Sequence, residues 1–463
     1  MRKTIFFITL IALLTGVIQL NAQNLYQANW ESIDSRPVPE WFEDAKFGIF
    51  IHWGLYSVPA WGPTEGNVYE KYAEWYWSRQ NPQGKPAKSF TDFHNATFGE
   101  KFKYQDFVKD FKTEMFNPDQ WADIFKQAGA KYIVLTSKHH EGFPLWPSVH
   151  SWNWNSMDVG PHRDLCGELT TSVKAKGLHM GFYYSLYEWY NPLYKSDVQK
   201  YVDDHMIPQM KDLVTRYEPD VVWTDGEWEH PSEIWKSTSF LSWLYNESPV
   251  KNTVVVNDRW GKETRGKHGG FYTTEYDLIH SDKSTGKLFE RPWEECRGIG
   301  GSFGYNRNEN LKDYSSSEEL VHILIDKVAR GGNLLLNIGP TADGRIPVIM
   351  QQRLFDMGEW LQVNGEAIYD TRLWEKAPAV KPETTVYFTK KGSDLYVLVT
   401  KWQDKPIVVE GVSNAGLVNM LGYNGKVKYS VSGKKLTITP PVITPANNPC
   451  KHAWVFKVQS AVY

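Results

Sequence analysis

Acids and imidazoles able to move protons or form covalent bonds recur in this chain at the ends of short apolar runs. His52-Trp53 closes FGIFIHW, Lys138-His139-His140 follows YIVLTS, Tyr184-Ser185 ends MGFYYS, and Trp223-Thr224-Asp225 ends DVVWTD. Asn257-Asp258-Arg259 follows TVVV, Glu275 ends FYTTE, and Asn337 lies in LLLNI. Two acids carry the sharpest chemical reading. Asp225 is followed by Gly226, which leaves space beside the carboxylate, and Glu275 ends a later run. One carboxylate as nucleophile and a second carboxyl that donates and then accepts a proton, about 5 Å apart, is what retaining glycoside hydrolysis requires. A strand-end Asp225 could instead serve as a helix N-cap or pair with Arg259, and the catalytic reading is the favoured one.

The elements that must position these residues read as alternating β and α. Apolar runs fall at 47–52, 132–136, 180–184, 220–224, 253–257, 271–275 and 334–338. Their continuity implies strands covered on both faces, as in a parallel sheet. Helical stretches intervene at about 118–127, 165–176, 197–217, 232–245, 317–330 and 348–364. Asn117-Pro118 and Ser316-Ser317 with Glu319 supply helix starts. The pattern predicts an α/β fold, a (β/α)8-like barrel over 24–372. Seven runs are one short of closure, so a distorted barrel is also compatible. Polar groups ending strand after strand would converge on the C-terminal mouth of such a barrel, where these enzymes build their sites. After about residue 373, alternating strands with Gly, Lys and Asn turns predict a small C-terminal β-sandwich over 373–463. Its role reads as structural, with sugar binding as the alternative.

Composition limits the partners. The 463 residues have a formal net charge of −3, so no basic field points to nucleic acid or anionic lipid. Aromatic content is 15%, with 21 Trp, a supply of flat faces suited to sugar rings as well as to packing. Arg2-Lys3, an apolar stretch and Ala22 predict a cleaved export signal over 1–23, hence a periplasmic or secreted protein without a membrane span after cleavage. Three separated cysteines give neither a disulfide framework nor a thiolate metal site.

Longer motifs narrow the reading. KFGIFIHWGLYSVPAW, AEWY, KYIVLTSKHHEGFPLW, DVVWTDGEWE, VVVNDRWG, SFGYNRNE and GGNLLLNIGPTADG occur in order along the predicted barrel. In these the chain resembles the α-L-fucosidases of glycoside hydrolase family 29. The resemblance implies a retaining exo-enzyme acting on fucosylated oligosaccharide or glycoprotein, with no cofactor. It implies Asp225 as nucleophile, and His52, Glu74, Trp75, His139, His140, Tyr184, Trp223, Arg259 and Phe303 as groups that grip fucose. Three hydroxyls for the polar groups and one methyl for an aromatic wall agree with that set. For the acid/base it offers two positions, Glu275 in a TxEY pattern and Glu294 in PWEEC. Glu275 is the choice here, because it ends a β-run whereas Glu294 follows Pro292 in an apparent loop.

Two rivals belong to other classes. A non-catalytic fucose-binding protein would have no need of intact carboxylates. A metal-dependent hydrolase would use His52, His139 and His140, but adjacent histidines on a continuing strand point to opposite sides. Metal ligands are therefore not expected, and chelation separates the two readings. Linkage preference is left to loops such as 81–104, and a homo-oligomer is compatible with the sequence.

Overall fold

Eight parallel strands carry the first part of the chain: β1 (Phe47–Ile51), β2 (Tyr132–Lys138), β3 (His179–Ser185), β4 (Val221–Asp225), β5 (Val255–Val256), β6 (Tyr272–Glu275), β7 (Trp293–Gly298) and β8 (Asn333–Ile338). The computed structural model describes residues 25–81, 84–277 and 291–463, so the expected signal segment lies outside the described residues. Spatial order is β5-β4-β3-β2-β1-β8-β7-β6, with every adjacent pair parallel. This is the cyclic order of a barrel with one seam, between β5 and β6. No strand ladder bridges that seam among the described residues; two backbone bonds cross it, from Phe271 N to Val256 O (3.0 Å) and from Gly270 N to Asn257 O (3.1 Å), and Thr273 of β6 donates through its hydroxyl to Asp258 Oδ1 at 2.7 Å.

The strand absent from the sequence reading is β7, WEECRG. Its charges disguise it, since each is satisfied across the pleat. Glu294 and Cys296 point inward, while Glu295 and Arg297 point outward and pair with each other, Arg297 also reaching Asp277 and Glu295 also reaching Lys327. Glu294 is thus on a strand, not in a loop.

Strand alternation separates two cores. Ile49, Ile51, Ile133, Leu135, Phe182, Val222, Leu334 and Leu336 face the helices. Phe50, Tyr132, Val134, Tyr183, Trp223, Cys296 and Leu335 fill the barrel interior. Gly48 is inward on β1 because a Cβ there would stand 2.4 Å from the Tyr132 ring.

The helices form as their sequence signals require. In α1 (Pro118–Gln127) the Asn117 side chain accepts from the Gln120 N–H, and Pro118 takes the first turn, where no donor is needed. α2 (Leu165–Ala175) follows the N-cap Asp164. α3 (Ile207–Tyr217) continues Val198–Tyr201 through a π turn at Val202–Met206. α4 (Ser237–Asn246), α5 (Ser317–Ala329) and α6 (Val348–Asn364) follow, and α5 begins with a full Ser316/Glu319 capping box. The segment 81–104, expected as loop, contains the helix Lys88–Thr97.

Two antiparallel sheets follow. β9 (Arg372–Leu373), β10 (Val386–Lys391), β11 (Asp394–Val399), β13 (Val418–Met420) and β16 (Trp454–Val458) form one sheet. β12 (Ile407–Glu410), β14 (Lys428–Ser432) and β15 (Lys435–Thr439) form the other. Leu395, Val397, Ile407, Val409, Leu436 and Phe456 share one core between them, which makes a sandwich.

Candidate active site

At the C-terminal ends of the barrel strands lies a cavity of about 360 Å³, within the usual range for a small-molecule pocket. Ten expected residues line it: His52, Glu74, Trp75, His139, His140, Trp223, Asp225, Arg259, Glu275 and Phe303. Parallel strands all end on the same rim, so residues from five different strand ends meet there although up to 223 positions separate them in the chain.

Asp225 is at the centre. Its Oδ1 accepts from Arg259 Nη1 at 2.8 Å, and its Oδ2 accepts from the Tyr183 hydroxyl at 2.9 Å. Arg265 Nη2 stands 3.8 Å from Oδ1, and His140 Nε2 is 3.8 Å from Oδ2. Burial alone would raise this carboxyl, but the guanidinium of Arg259, with Arg265 behind it, holds it well below the usual carboxylate range. The ionised form is therefore favoured, and donors on both oxygens fix the direction of the carboxylate.

Arg259 also touches the second carboxylate, with Nη2 3.5 Å from Glu275 Oε2. Its Nε donates to Thr273 Oγ1 (3.0 Å), and its guanidinium lies 4.4 Å over the Trp223 ring. Glu275 Oε1 accepts from the Tyr72 hydroxyl at 2.6 Å. Two carboxylates thus share one guanidinium, and both line the cavity with similar side-chain exposure, 12% for Asp225 and 15% for Glu275.

Two of the imidazoles, His52 and His140, are neutral acceptors. Asn337 Nδ2 donates to Phe303 O (2.7 Å), so its Oδ1 must accept from His52 Nδ1 (2.7 Å), leaving His52 Nε2 as a lone pair. Burial, with His139 adding to it, pushes His52 down to about 3. Ser185 Oγ donates to Tyr187 O (2.5 Å) and therefore accepts from His140 Nδ1 (2.6 Å). His140 is likewise held neutral, first by burial and then by His139. Phe303 stacks on His52 at 4.8 Å, and Glu74 Oε2 accepts from Gly304 N (2.8 Å), which fixes the segment carrying Phe303.

His139 and His140 do not diverge as a continuing strand would require. β2 ends at Lys138 after a register shift between Thr136 and Lys138, and both rings line the cavity 4.1 Å apart. Among the described residues no three His, Cys, Asp or Glu side chains cluster with metal-ligand geometry.

Two expected residues are elsewhere. Tyr184 points outward, its hydroxyl donating to Gln209 Oε1 at 2.8 Å, and its neighbour Tyr183 takes the cavity position. The signal was present in alternation: Met180, Phe182 and Tyr184 form the bulkier, helix-facing set, whereas Gly181, Tyr183 and Ser185 face inward. Glu294 is inside the barrel but below the cavity, wholly buried, accepting from Tyr132 (2.5 Å) and Trp223 Nε1 (2.9 Å). Burial pushes its carboxyl up to about 7, although both donors oppose this. Tyr69, Tyr72, Arg79, Lys85, Trp228 and Arg265 also line the cavity and were not anticipated. They lie outside the strands, where periodicity carries no information.

Comparison with known proteins gives a consistent picture. The Alpha-L-fucosidase family model matches residues 13–366, and the Alpha-L-fucosidase C-terminal domain model matches 381–459. Tissue alpha-L-fucosidase of Homo sapiens is 44% identical over 445 residues, covering 94% of this chain and 91% of the human one. Alpha-L-fucosidase of Dictyostelium discoideum is 43% identical, covering 98% of each chain. The crystal structure of Thermotoga maritima alpha-fucosidase in complex with fucose superposes with a TM-score of 0.76 at 36% identity, covering 94% of this chain and 100% of that one. The same enzyme with a mechanism-based inhibitor gives 0.78 at 38% identity, covering 94% and 99%.

Proposed function

Because this chain belongs to the α-L-fucosidase family of glycoside hydrolases, we propose that it is an exported exo-acting retaining enzyme that releases terminal α-L-fucose by double displacement. Asp225 attacks the anomeric carbon as the bond to the aglycone oxygen breaks, and Glu275 gives that oxygen its proton. The fucosyl group is then an ester on Asp225. Water, deprotonated by Glu275, attacks the same carbon and returns the Asp225 carboxylate, so two inversions leave the α configuration.

The observation that carries this assignment is the pair of carboxylates sharing Arg259 in one cavity. Asp225, held ionised, suits the nucleophile; Glu275, partly open and bonded to Tyr72, suits a group that must meet both aglycone and water. His52 and His140 offer lone pairs to sugar hydroxyls, and the Phe303 ring offers an apolar wall for the methyl group. Glu294, spent on Tyr132 and Trp223, acts beneath them by fixing the indole on which Arg259 rests.

Azide rescue tests the roles. Asp225→Gly should lose several decades of turnover, and azide in the vacated space should yield β-fucosyl azide. Glu275→Ala should lose far more on a natural fucoside than on an aryl fucoside with an acidic phenol, because only a poor leaving group needs the proton. Azide should then attack the fucosyl-enzyme and give α-fucosyl azide. An α-azide product from Glu294→Ala alone would transfer the acid/base role to Glu294.

A further inference from the structure

The entrance to the cavity carries cations that the two-carboxylate mechanism leaves unused. Arg79 and Lys85 both line the cavity, and neither has a carboxylate within ion-pair distance among the described residues. The inner cations are different: Arg259 is matched by Asp225 and Glu275, and Arg265 by Glu227 at 2.6 Å. Arg79 donates to the Tyr69 carbonyl at 3.3 Å, a neutral partner. Glu70, which acts on Arg79 at longer range, is engaged in accepting from the Asn67 N–H at 3.1 Å. With a formal net charge of −3, the chain has no general excess of cations to account for these two.

Their position identifies the part of the substrate they would meet. The leaving oxygen must approach Glu275. From Glu275 a short path leads outward through the Tyr72 hydroxyl (2.6 Å) to the Tyr69 ring, edge-on to Tyr72 at 5.7 Å, and then to Arg79. Arg79 and Lys85 lie 5.8 and 5.7 Å from the Trp75 ring centroid, and Trp75 stacks at 6.0 Å with the half-exposed Trp228 across the entrance. Aromatic faces alone suffice to hold a neutral sugar outside the bond being cut. Two cations beside them add recognition of a negative charge.

We propose that this rim selects fucosides whose aglycone carries an anionic group, a sulfate ester or a sugar carboxylate, near the cleaved bond. Arg79 and Lys85 are then specificity-determining residues on the leaving-group side. The inference rests on the fucosidase reading above, and its test keeps the two apart.

Initial rates would be measured on three fucosylated oligosaccharides that differ only in the aglycone: neutral, sulfated, and carrying a sialic acid. The expected result is a kcat/KM for at least one anionic substrate above the neutral one by about fivefold per contact, the upper end for an exposed ion pair. The ratio should fall toward one at about 1 M salt, where the Debye length is about 3 Å. In the double variant Arg79→Gln/Lys85→Gln the ratio should also approach one; as both rates come from one preparation, partial misfolding cancels. Equal rates on all three substrates, or a preference that survives high salt and the double substitution, would overturn the proposal while leaving the fucosidase intact. Refusal of all three with turnover of an aryl fucoside would overturn the proposal alone, and no turnover of the aryl fucoside either would overturn both.

Discussion

Arg259 spends its donors on Asp225, Thr273 and Glu275, and this one side chain decides how the nucleophile responds to pH. Burial of Asp225 favours its neutral form, and Arg259 is the largest effect opposing it. Replacing it in Arg259→Met should therefore raise the Asp225 pKa. Since the nucleophile must be ionised, activity would be lost as pH falls through the raised value. The acid limb of kcat/KM against pH should move upward relative to the parent enzyme, with a loss of at least about tenfold at its optimum, as for a hydrogen bond to a charged group. An unmoved acid limb would mean that Asp225 is not the group that titrates. Asp225, Glu275 and Arg259 were legible in the chain because the first two end strands and the third closely follows one. Tyr72, Trp228 and Arg265 were not, since a loop side chain reaches a cavity only through the path of the fold.

A strand sends neighbouring side chains to opposite faces, and β3 separates two tyrosines in this way. Tyr183 and Tyr184 have the same chemistry and adjacent positions, yet one bonds Asp225 in the cavity and the other bonds Gln209 behind the sheet. Tyr183→Phe removes a donor from the nucleophile and should lower kcat/KM by about ten- to a hundredfold. Tyr184→Phe should leave kcat/KM near the parent value and lower stability by about 1 kcal/mol, measured by denaturant unfolding. The reverse pattern would require the opposite register for β3. β1, β2, β4 and β8 were readable because both of their faces are apolar or nearly so, and β6 because YTTE is aromatic and β-branched up to its final acid. β7 was not, because the surrounding fold satisfies WEECRG through Tyr132, Trp223, Lys327 and Asp277. Helix boundaries fared better, as capping is local chemistry: Asn117 and Ser316 bond only within their own first turn.

The whole molecule joins barrel and sandwich through a strand buried on both faces. On β11, Leu395, Val397 and Val399 enter the sandwich core, while Tyr396 and Leu398 enter the barrel's helical core together with Ala453 and Val455. On the barrel side, the buried Trp360 of α6 donates to Ala453 O at 2.8 Å, and Thr389 Oγ1 donates to Ala367 O at 2.7 Å. The cavity, by contrast, takes no lining residue beyond Phe303. A module that shares a core with the barrel but supplies nothing to the site should act on stability rather than on chemistry. A chain ending at residue 372 would leave Trp360 and the inner face of α6 open to water, and should be recovered as aggregate. In the full-length protein, Trp360→Ala should cost about 3–5 kcal/mol. The soluble fraction of that variant should keep the parent kcat/KM on an aryl fucoside, because no cavity contact is altered. The alternative assigns the sandwich to glycan capture. It requires the truncated chain to stay soluble, to retain aryl-fucoside turnover, and to lose rate only on large glycans, and a truncation assayed on both substrate types distinguishes the two.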